Sequence, residues 1–171
     1  KVNVFEKVGL AENMNVGDLG CGNLGYFSVP AAKIVGKKGT VYAVDILKSV
    51  LQAVEHIAKQ EGLNNIKIVW SNLEIVGATK VPADSLDLAM LHNMLFQSED
   101  DQKVFLESYR LTKSGGKLVV IDWKMISSPF GPPPTKRIKK EDAIKFAQNA
   151  GFKLLEEFEA GPYHFGLVFM K

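Results

Sequence analysis

Short runs of β-branched and apolar residues alternate with amphipathic helical segments along most of this chain, and this alternation restricts its fold more than any other feature. Strands are predicted at residues 14–19, 40–45, 66–70, 86–91 and 117–122. Helices are predicted at residues 26–35, 47–58, 100–111 and 143–150. Five successive βα units imply a parallel sheet with helices on both faces and right-handed crossovers.

The C-terminal part of the chain has a different pattern. Two strand-like runs, 152–160 and 164–170, have almost nothing between them, so they predict an antiparallel hairpin. The segment "KSGG" predicts a turn before the fifth strand, and "SSPFGPPPTKRIKKED" predicts irregular structure because it contains four prolines. The length of 171 residues predicts one α/β domain, residues 1–171.

Composition excludes several classes of partner and location. The 21 basic residues nearly balance the 19 acidic ones, which argues against nucleic acid or an anionic membrane as the main partner. Cys21 is the only cysteine, so no internal disulfide is possible, and one cysteine with three histidines gives no zinc spacing. The first residues, "KVNVFEKVGL", do not predict a signal peptide, and no apolar run approaches the roughly 20 residues that span a bilayer. We therefore expect a cytoplasmic protein without a bound metal, and a homo-oligomer is compatible with the sequence.

The turn after the first predicted strand, "VGDLGCGNLGYFS", is rich in glycine. Gly20, Gly22 and Gly25 spell the G-x-G-x-x-G fingerprint of dinucleotide sites, where a pyrophosphate binds at a helix N-terminus. Asp18 lies two residues before the first glycine, and its carboxylate at the mouth of the turn would repel pyrophosphate. It would suit S-adenosylmethionine, which carries a sulfonium and an ammonium group. The alternative role for Asp18 is to cap amides of the loop.

Asp45 ends the second predicted strand and is the candidate ribose ligand. A carboxylate there can accept hydrogen bonds from both ribose hydroxyl groups. Because NAD and S-adenosylmethionine both contain a ribose, Asp45 does not distinguish between them, but it would repel the 2′-phosphate of NADP. It can also cap the helix that begins near Leu47.

Four segments, "VGDLGCGNLGYFSVPAA", "VYAVDI", "VPADSLDLAMLHNMLFQ" and "LTKSGGKLVVIDW", resemble successive motifs of class I S-adenosylmethionine-dependent methyltransferases. The resemblance implies a Rossmann-like α/β/α sandwich with strand order 3-2-1-4-5-7-6 and strand 7 antiparallel. It also implies S-adenosylmethionine as cofactor and S-adenosylhomocysteine as product. The family's turn usually reads D-x-G-x-G-x-G, whereas this chain has one extra residue between its second and third glycines, which we interpret as a longer methionine-binding loop.

The resemblance also assigns site residues. Asn72 and Leu73 would border the adenine, and the backbone at Leu91 and His92, where the fourth strand ends, would meet the methionine portion where the acceptor pocket begins; an Asx turn is the alternative role of Asn72. The cofactor-binding residues implied in this way are Asp18, Gly20, Cys21, Gly22, Asn23, Gly25, Asp45, Ile46, Asn72, Leu73, Leu91 and His92.

Methyl transfer from a sulfonium is an in-line displacement, so it needs a general base only when the acceptor must lose a proton. His92 is the preferred candidate base, with Asp122 and His164 as others, although all three also have structural interpretations. The basic residues of "GPPPTKRIKK" could hold an anionic acceptor or simply be solvated. They are Lys136, Arg137, Lys139 and Lys140.

Three functions fit these features. The first is a methyltransferase with a small-molecule acceptor, because "HNMLF" replaces the Asn/Asp-Pro-Pro-Tyr motif of amino-methylating enzymes and no macromolecule-binding domain is evident. The second is an NAD-dependent oxidoreductase or NAD-binding module. The third is a cofactor-binding protein without catalysis.

Overall fold

The computed structural model describes residues 3–22 and 24–171, and within them seven strands form one sheet. The strands are β1 (Asn15–Leu19), β2 (Thr40–Asp45), β3 (Ile66–Trp70), β4 (Leu86–His92), β5 (Thr112–Trp123), β6 (Lys153–Gly161) and β7 (His164–Met170). Their order is β3-β2-β1-β4-β5-β7-β6, and β7 runs antiparallel to both of its neighbours. The Rossmann-like fold class and this strand order are therefore confirmed, as is the terminal hairpin.

Helices cover both faces of this sheet. They are α1 (Val4–Lys7), α2 (Ser28–Val35), α3 (Lys48–Gln60), α4 (Asp101–Leu111) and α5 (Lys140–Ala150). Val16 of β1 packs in an apolar cluster with Phe5 and Ala31, from α1 and α2. Leu19 of the same strand belongs to a second cluster that includes Phe105 of α4. Because side chains alternate along a strand, the central strands are apolar on both faces.

The crevice that positions the site lies at the carboxyl end of β1. Leu19 is paired with Val44 of β2 on one side and with Leu91 of β4 on the other. The chain continues from β1 to β2 and β3 in one direction and from β4 to β5 in the other. This is the switch point at which open α/β sheets bind ligands.

Residues 71–85, between β3 and β4, form turns without a helix. The predicted loop before β4 is therefore confirmed, whereas the count of five βα units is wrong. Two further local predictions are wrong. The "KSGG" segment lies inside β5, which begins at Thr112 directly after α4. Its pairing with β4 passes from Thr112 to Lys117, so the glycines form an irregularity in the strand. The segment predicted to be irregular contains a 3-10 turn at Pro134–Lys136, and its last residues belong to α5, which begins at Lys140. A helix can begin there because all four prolines of the segment precede Lys140.

None of the helices in the described part of the chain combines the length and the apolar composition that crossing a bilayer requires.

Candidate active site

A cavity of about 1100 Å³ lies at the carboxyl ends of the strands. It extends from the end of β3, past β2, β1 and β4, to the start of β7. This volume is at or above the upper limit of ordinary small-molecule sites, roughly 300–1,000 Å³, so two ligands fit side by side. Eight of the predicted cofactor-binding residues line it: Gly20, Cys21, Gly22, Asp45, Ile46, Asn72, Leu73 and His92.

The glycine turn folds over the end of β2. The amides of Gly20 and Cys21 donate to the carbonyl oxygen of Val44 at 2.8 and 3.0 Å. Gly22 has a φ of 70°, and a Cβ placed there would meet no other atom within 4 Å, so open space lies beside its backbone. Gly25 does not line the cavity, contrary to prediction. A Cβ at Gly25 would lie 3.0 Å from Val29, because the residue forms the turn into α2. Asn23 lies outside the described residues.

Asp45 faces the cavity and also fixes the loops around it. Its Oδ1 accepts the amide of Leu47 at 3.0 Å, and its Oδ2 accepts the amide of Gly22 at 3.3 Å. Each carboxylate oxygen can accept a second hydrogen bond. The side chain can therefore bind ribose hydroxyls while it holds the glycine turn. The N-cap position of α3 is Leu47 itself rather than Asp45.

The wall after β3 contains Asn72 and Leu73. Oδ1 of Asn72 accepts the amide of Glu74 at 2.9 Å, which confirms the Asx turn. Leu73 is buried and belongs to the core as well as to the cavity wall. The contact of these two residues with adenine stays a prediction.

Asp18 is not at the mouth of the turn, and that prediction is wrong. Its side chain is 2% exposed, lies beneath the loop and accepts the hydroxyl of Ser28, at the start of α2, at 2.6 Å. Burial, with a smaller contribution from Asp45, raises the pKa of Asp18 to about 7, although hydrogen bonds from Ser28 oppose this. A carboxyl group with this pKa is only partly charged at neutral pH. The argument from its charge for a cationic cofactor is therefore weak.

The raised pKa of Asp18 predicts a pH-dependent stability. Between about pH 4 and pH 7 the carboxyl group of Asp18 is ionised in the unfolded chain and protonated in the folded chain. The free energy of unfolding therefore falls as the pH rises, by up to about 1.4 kcal/mol per pH unit. We expect Asp18→Asn to remove this fall, as measured by urea unfolding at pH 5 and pH 7. Asp142→Asn, at an exposed position, is the control. Equal pH dependence in the wild type and Asp18→Asn would contradict the prediction.

At the end of β4 only one of the two predicted residues reaches the cavity. The side chain of Leu91 is fully buried in the core, since adjacent side chains of a strand point to opposite faces, and the contact of its backbone with the methionine portion stays a prediction. His92 lines the cavity and packs against Tyr26 and Phe27, with ring centroids 5.9 and 4.6 Å away. Burial, and secondarily the nearby His164, lowers the pKa of His92 to about 4. Its imidazole is therefore neutral at physiological pH.

The other candidate base on the strands, Asp122, is not part of the cavity lining. Its carboxyl group is fully buried and accepts the amide of Trp123 at 2.8 Å. Burial is the main cause that raises the pKa of Asp122 to about 6. A direct role as a base acting on a ligand is not supported by this position.

None of the four basic residues of the proline-rich segment lines the cavity. Arg137 is 7% exposed, and its guanidinium donates to four backbone carbonyls of the preceding loop and lies over the ring of Trp123. The carbonyls belong to Lys124, Ile126, Phe130 and Pro132. Lys140 pairs with Glu157 at 3.1 Å. Lys136 and Lys139 are exposed but do not line the cavity. The charge of Arg137 therefore organises the loop.

Several lining residues were not predicted. Asn3 and Phe5 belong to the N-terminal segment, where the Asn3 side chain caps α1 by accepting the amide of Phe5 at 3.1 Å. Met94 and Ser98 follow β4. A Cβ at Gly20 would lie 3.0 Å from the side chain of Met94, so the loops after β1 and β4 are in contact. The switch-point rule could have indicated the loop after β4, whereas nothing in the local sequence indicated α1.

The comparison with known families decides the class of the protein. A family model described as "Methyltransferase domain" matches residues 10–160. The chain belongs to the class I S-adenosylmethionine-dependent methyltransferases. The crystal structure of such a methyltransferase from Aquifex aeolicus aligns with a TM-score of 0.89 and 28% identity, covering 98% of this chain and 87% of that one.

Two curated relatives of this methyltransferase are enzymes of quinone biosynthesis by name. The demethylmenaquinone methyltransferase of Geobacillus sp. (strain WCH70) is 30% identical over 105 residues, which are 61% of this chain and 43% of that protein. The ubiquinone/menaquinone biosynthesis C-methyltransferase of Marinomonas sp. (strain MWYL1) is 31% identical over 103 residues, 60% of this chain and 40% of that protein. The chain therefore spans less than half the length of these relatives.

S-adenosylmethionine is the cofactor of the methyltransferase, and the geometry fits it. Gly22 leaves open space beside its backbone, Asp45 has lone pairs free for a ribose, and Ile46 and Leu73 offer apolar surface for an adenine. The G-x-G-x-x-G spacing is typical of dinucleotide sites, but membership of this family decides against a nicotinamide cofactor.

Proposed function

We propose that this chain transfers a methyl group from S-adenosylmethionine to a small, uncharged aromatic acceptor. One observation carries the proposal. Beyond the cofactor residues, the cavity continues into a compartment near the start of β7 whose walls are mainly apolar or aromatic. We call this part of the cavity the acceptor compartment and define it by the lining residues Val4, Phe5, Tyr26, Phe27, Pro30, His92, Ile121, Ala160 and His164.

The charges around the cavity support an uncharged acceptor. The described residues that line it include no lysine and no arginine, and its two acids, Asp45 and Glu74, lie at the end near β2 and β3. An anionic acceptor, one interpretation of the basic segment, would find no counter-charge there and would lose its hydration.

Bound S-adenosylmethionine supplies an electrophilic methyl group, and the task of the protein is to hold the acceptor in line with it. The names of the two quinone-biosynthesis relatives make the ring carbon of a reduced, unmethylated quinone the first acceptor to test. The aromatic walls of the compartment suit such a flat ring.

The test has two steps. Calorimetry with S-adenosylmethionine, S-adenosylhomocysteine, NAD and NADP is expected to show binding of the first two alone. Binding of NAD alone would overturn the proposal. Labelled S-adenosylmethionine is then incubated with demethylmenaquinol, and we expect the label on the quinol ring. Cofactor binding without transfer to this or other uncharged aromatic acceptors would favour a non-catalytic protein.

A further inference from the structure

His92 and His164 are the two imidazoles of the acceptor compartment. We propose that they form a hydrogen-bonding site that selects an acceptor carrying a free hydroxyl group on its aromatic ring. This inference rests on the proposed function and extends it, because it assigns a specificity role to His164, which the cofactor does not require.

The fold brings these histidines together from distant parts of the sequence. His92 ends β4, and His164 begins β7, with β5 between the two strands. Their ring centroids are 6.3 Å apart. Trp123 packs against His164 at 4.1 Å, and Tyr26 stacks on His92 at 5.9 Å. The two imidazoles therefore stand side by side between aromatic rings.

One nitrogen atom of these rings is buried without a partner within the described residues. Nε2 of His164 is buried and accepts or donates no hydrogen bond there. A buried polar atom without a partner costs free energy, which a ligand group that pairs with it recovers. His164 lines the cavity, so a molecule bound there can meet its ring.

The surroundings of both imidazoles favour the neutral form. Burial is the main cause that lowers the pKa of His164, and the cations Arg137 and Lys124 lower it further. Burial and His164 lower the pKa of His92 in the same direction. A neutral imidazole has one nitrogen that accepts a hydrogen bond. Two such acceptors in apolar surroundings favour a molecule that donates O–H groups over its methyl ether.

Two stable probes test this selection. 1-Naphthol donates a hydroxyl hydrogen, whereas 1-methoxynaphthalene has the same ring without that donor. Their binding is measured by calorimetry on the protein saturated with S-adenosylhomocysteine. We expect 1-naphthol to bind at least tenfold more tightly, a ratio that corresponds to about 1.4 kcal/mol. The ratio should stay constant between pH 8 and pH 7, because burial holds the pKa of both imidazoles below the ordinary value of histidine.

Variants separate hydrogen bonding from packing. His164→Phe keeps an aromatic ring and should reduce the ratio to near one, while His164→Gln, which retains an acceptor oxygen, should recover part of it. His56→Phe, at an exposed position of α3, is the control and should leave the ratio unchanged. Equal binding of the probes to the wild type, failure of 1-naphthol to bind, or an unchanged ratio in His164→Phe would overturn the inference. Normal S-adenosylhomocysteine binding in the same samples would show that the cofactor site itself is intact.

Discussion

Asp45→Ala is expected to raise the dissociation constants of S-adenosylmethionine and S-adenosylhomocysteine about a hundredfold. A charged hydrogen bond contributes about 1.5–3 kcal/mol, and two bonds to the ribose at the lower value give about 3 kcal/mol, or two powers of ten in affinity. The variant also frees the amide of Gly22, which the carboxylate holds at 3.3 Å. The glycine turn would then lose one of the three hydrogen bonds that its described residues donate to β2, which adds to the loss.

Calorimetry with both ligands measures this effect. Glu55→Ala is the matched control, because Glu55 is an exposed acid on α3 whose ion pair with Lys59 lies away from the cavity lining. Its affinity should equal that of the wild type. Thermal unfolding should show Asp45→Ala folded, since Asp45 is only half-buried. Unchanged affinity in a folded Asp45→Ala variant would show that the ribose contact is misplaced.

The sequence predicted the part of the site that strand ends determine. The carboxyl ends of neighbouring parallel strands meet at one edge of a sheet, so residues such as Gly22, Asp45 and His92 were certain to lie close together once the strands were recognised. The strands β1, β2, β4 and β5 were recognisable as nearly continuous apolar runs because most of their residues are buried. The bounds of β2 and β3 were predicted to the residue.

Orientation at the strand ends was harder to predict. Asp18 and Leu91 lie within one or two residues of lining positions, but their side chains point away from the cavity. Which face of a terminal residue meets the crevice depends on the path of the loop that follows, and the sequence pattern does not contain that path. The buried hydrogen bond from Ser28 to Asp18 became visible only in three dimensions.

The far wall of the cavity depends on contacts between distant segments. Phe5 of α1 packs against Phe27, with ring centroids 5.9 Å apart, yet a helix of four residues carries too little periodicity to be recognised.

The role of Arg137 was also hidden in the sequence. Its position in a basic run is typical of a solvated side chain, but the carbonyls to which it donates belong to residues 124–132. The order of charged residues along a chain does not indicate which of them the folded loops bury.

Glu107 is a further residue that only the structure reveals. It holds the loop that follows Asn72 and Leu73 in the cavity wall. It lies on α4 and is fully buried. Its two carboxylate oxygens accept the amides of Gly77 and Thr79 at 2.9 and 3.0 Å, and Arg110 donates to both oxygens. The segment 71–85 has no helix of its own, so this carboxylate replaces the support that a crossover helix would give.

Glu107→Ala is therefore expected to lower the free energy of unfolding by at least about 2 kcal/mol, because the amides of Gly77 and Thr79 lose their acceptor at a cost of about 1–3 kcal/mol each. Urea unfolding at pH 7 measures the loss. Glu61→Ala removes a surface pair with Lys33, at 3.0 Å, and should cost less than about 1 kcal/mol. A loss in Glu107→Ala no larger than that of Glu61→Ala would contradict the proposed support of the loop.

The same variant should also show a characteristic pH dependence. Burial alone would raise the pKa of Glu107, but hydrogen bonds from Arg110 and from the amides of Gly77 and Thr79 outweigh it and hold the pKa below its usual value. An acid with a lowered pKa stabilises the fold above the pKa of the unfolded chain, about 4.3 for glutamate, and loses this contribution as the pH falls further. The difference between the wild type and Glu107→Ala should therefore be full at pH 6 to 7 and shrink below about pH 4. A difference that stays constant down to pH 3 would mean that the side chain acts by packing alone.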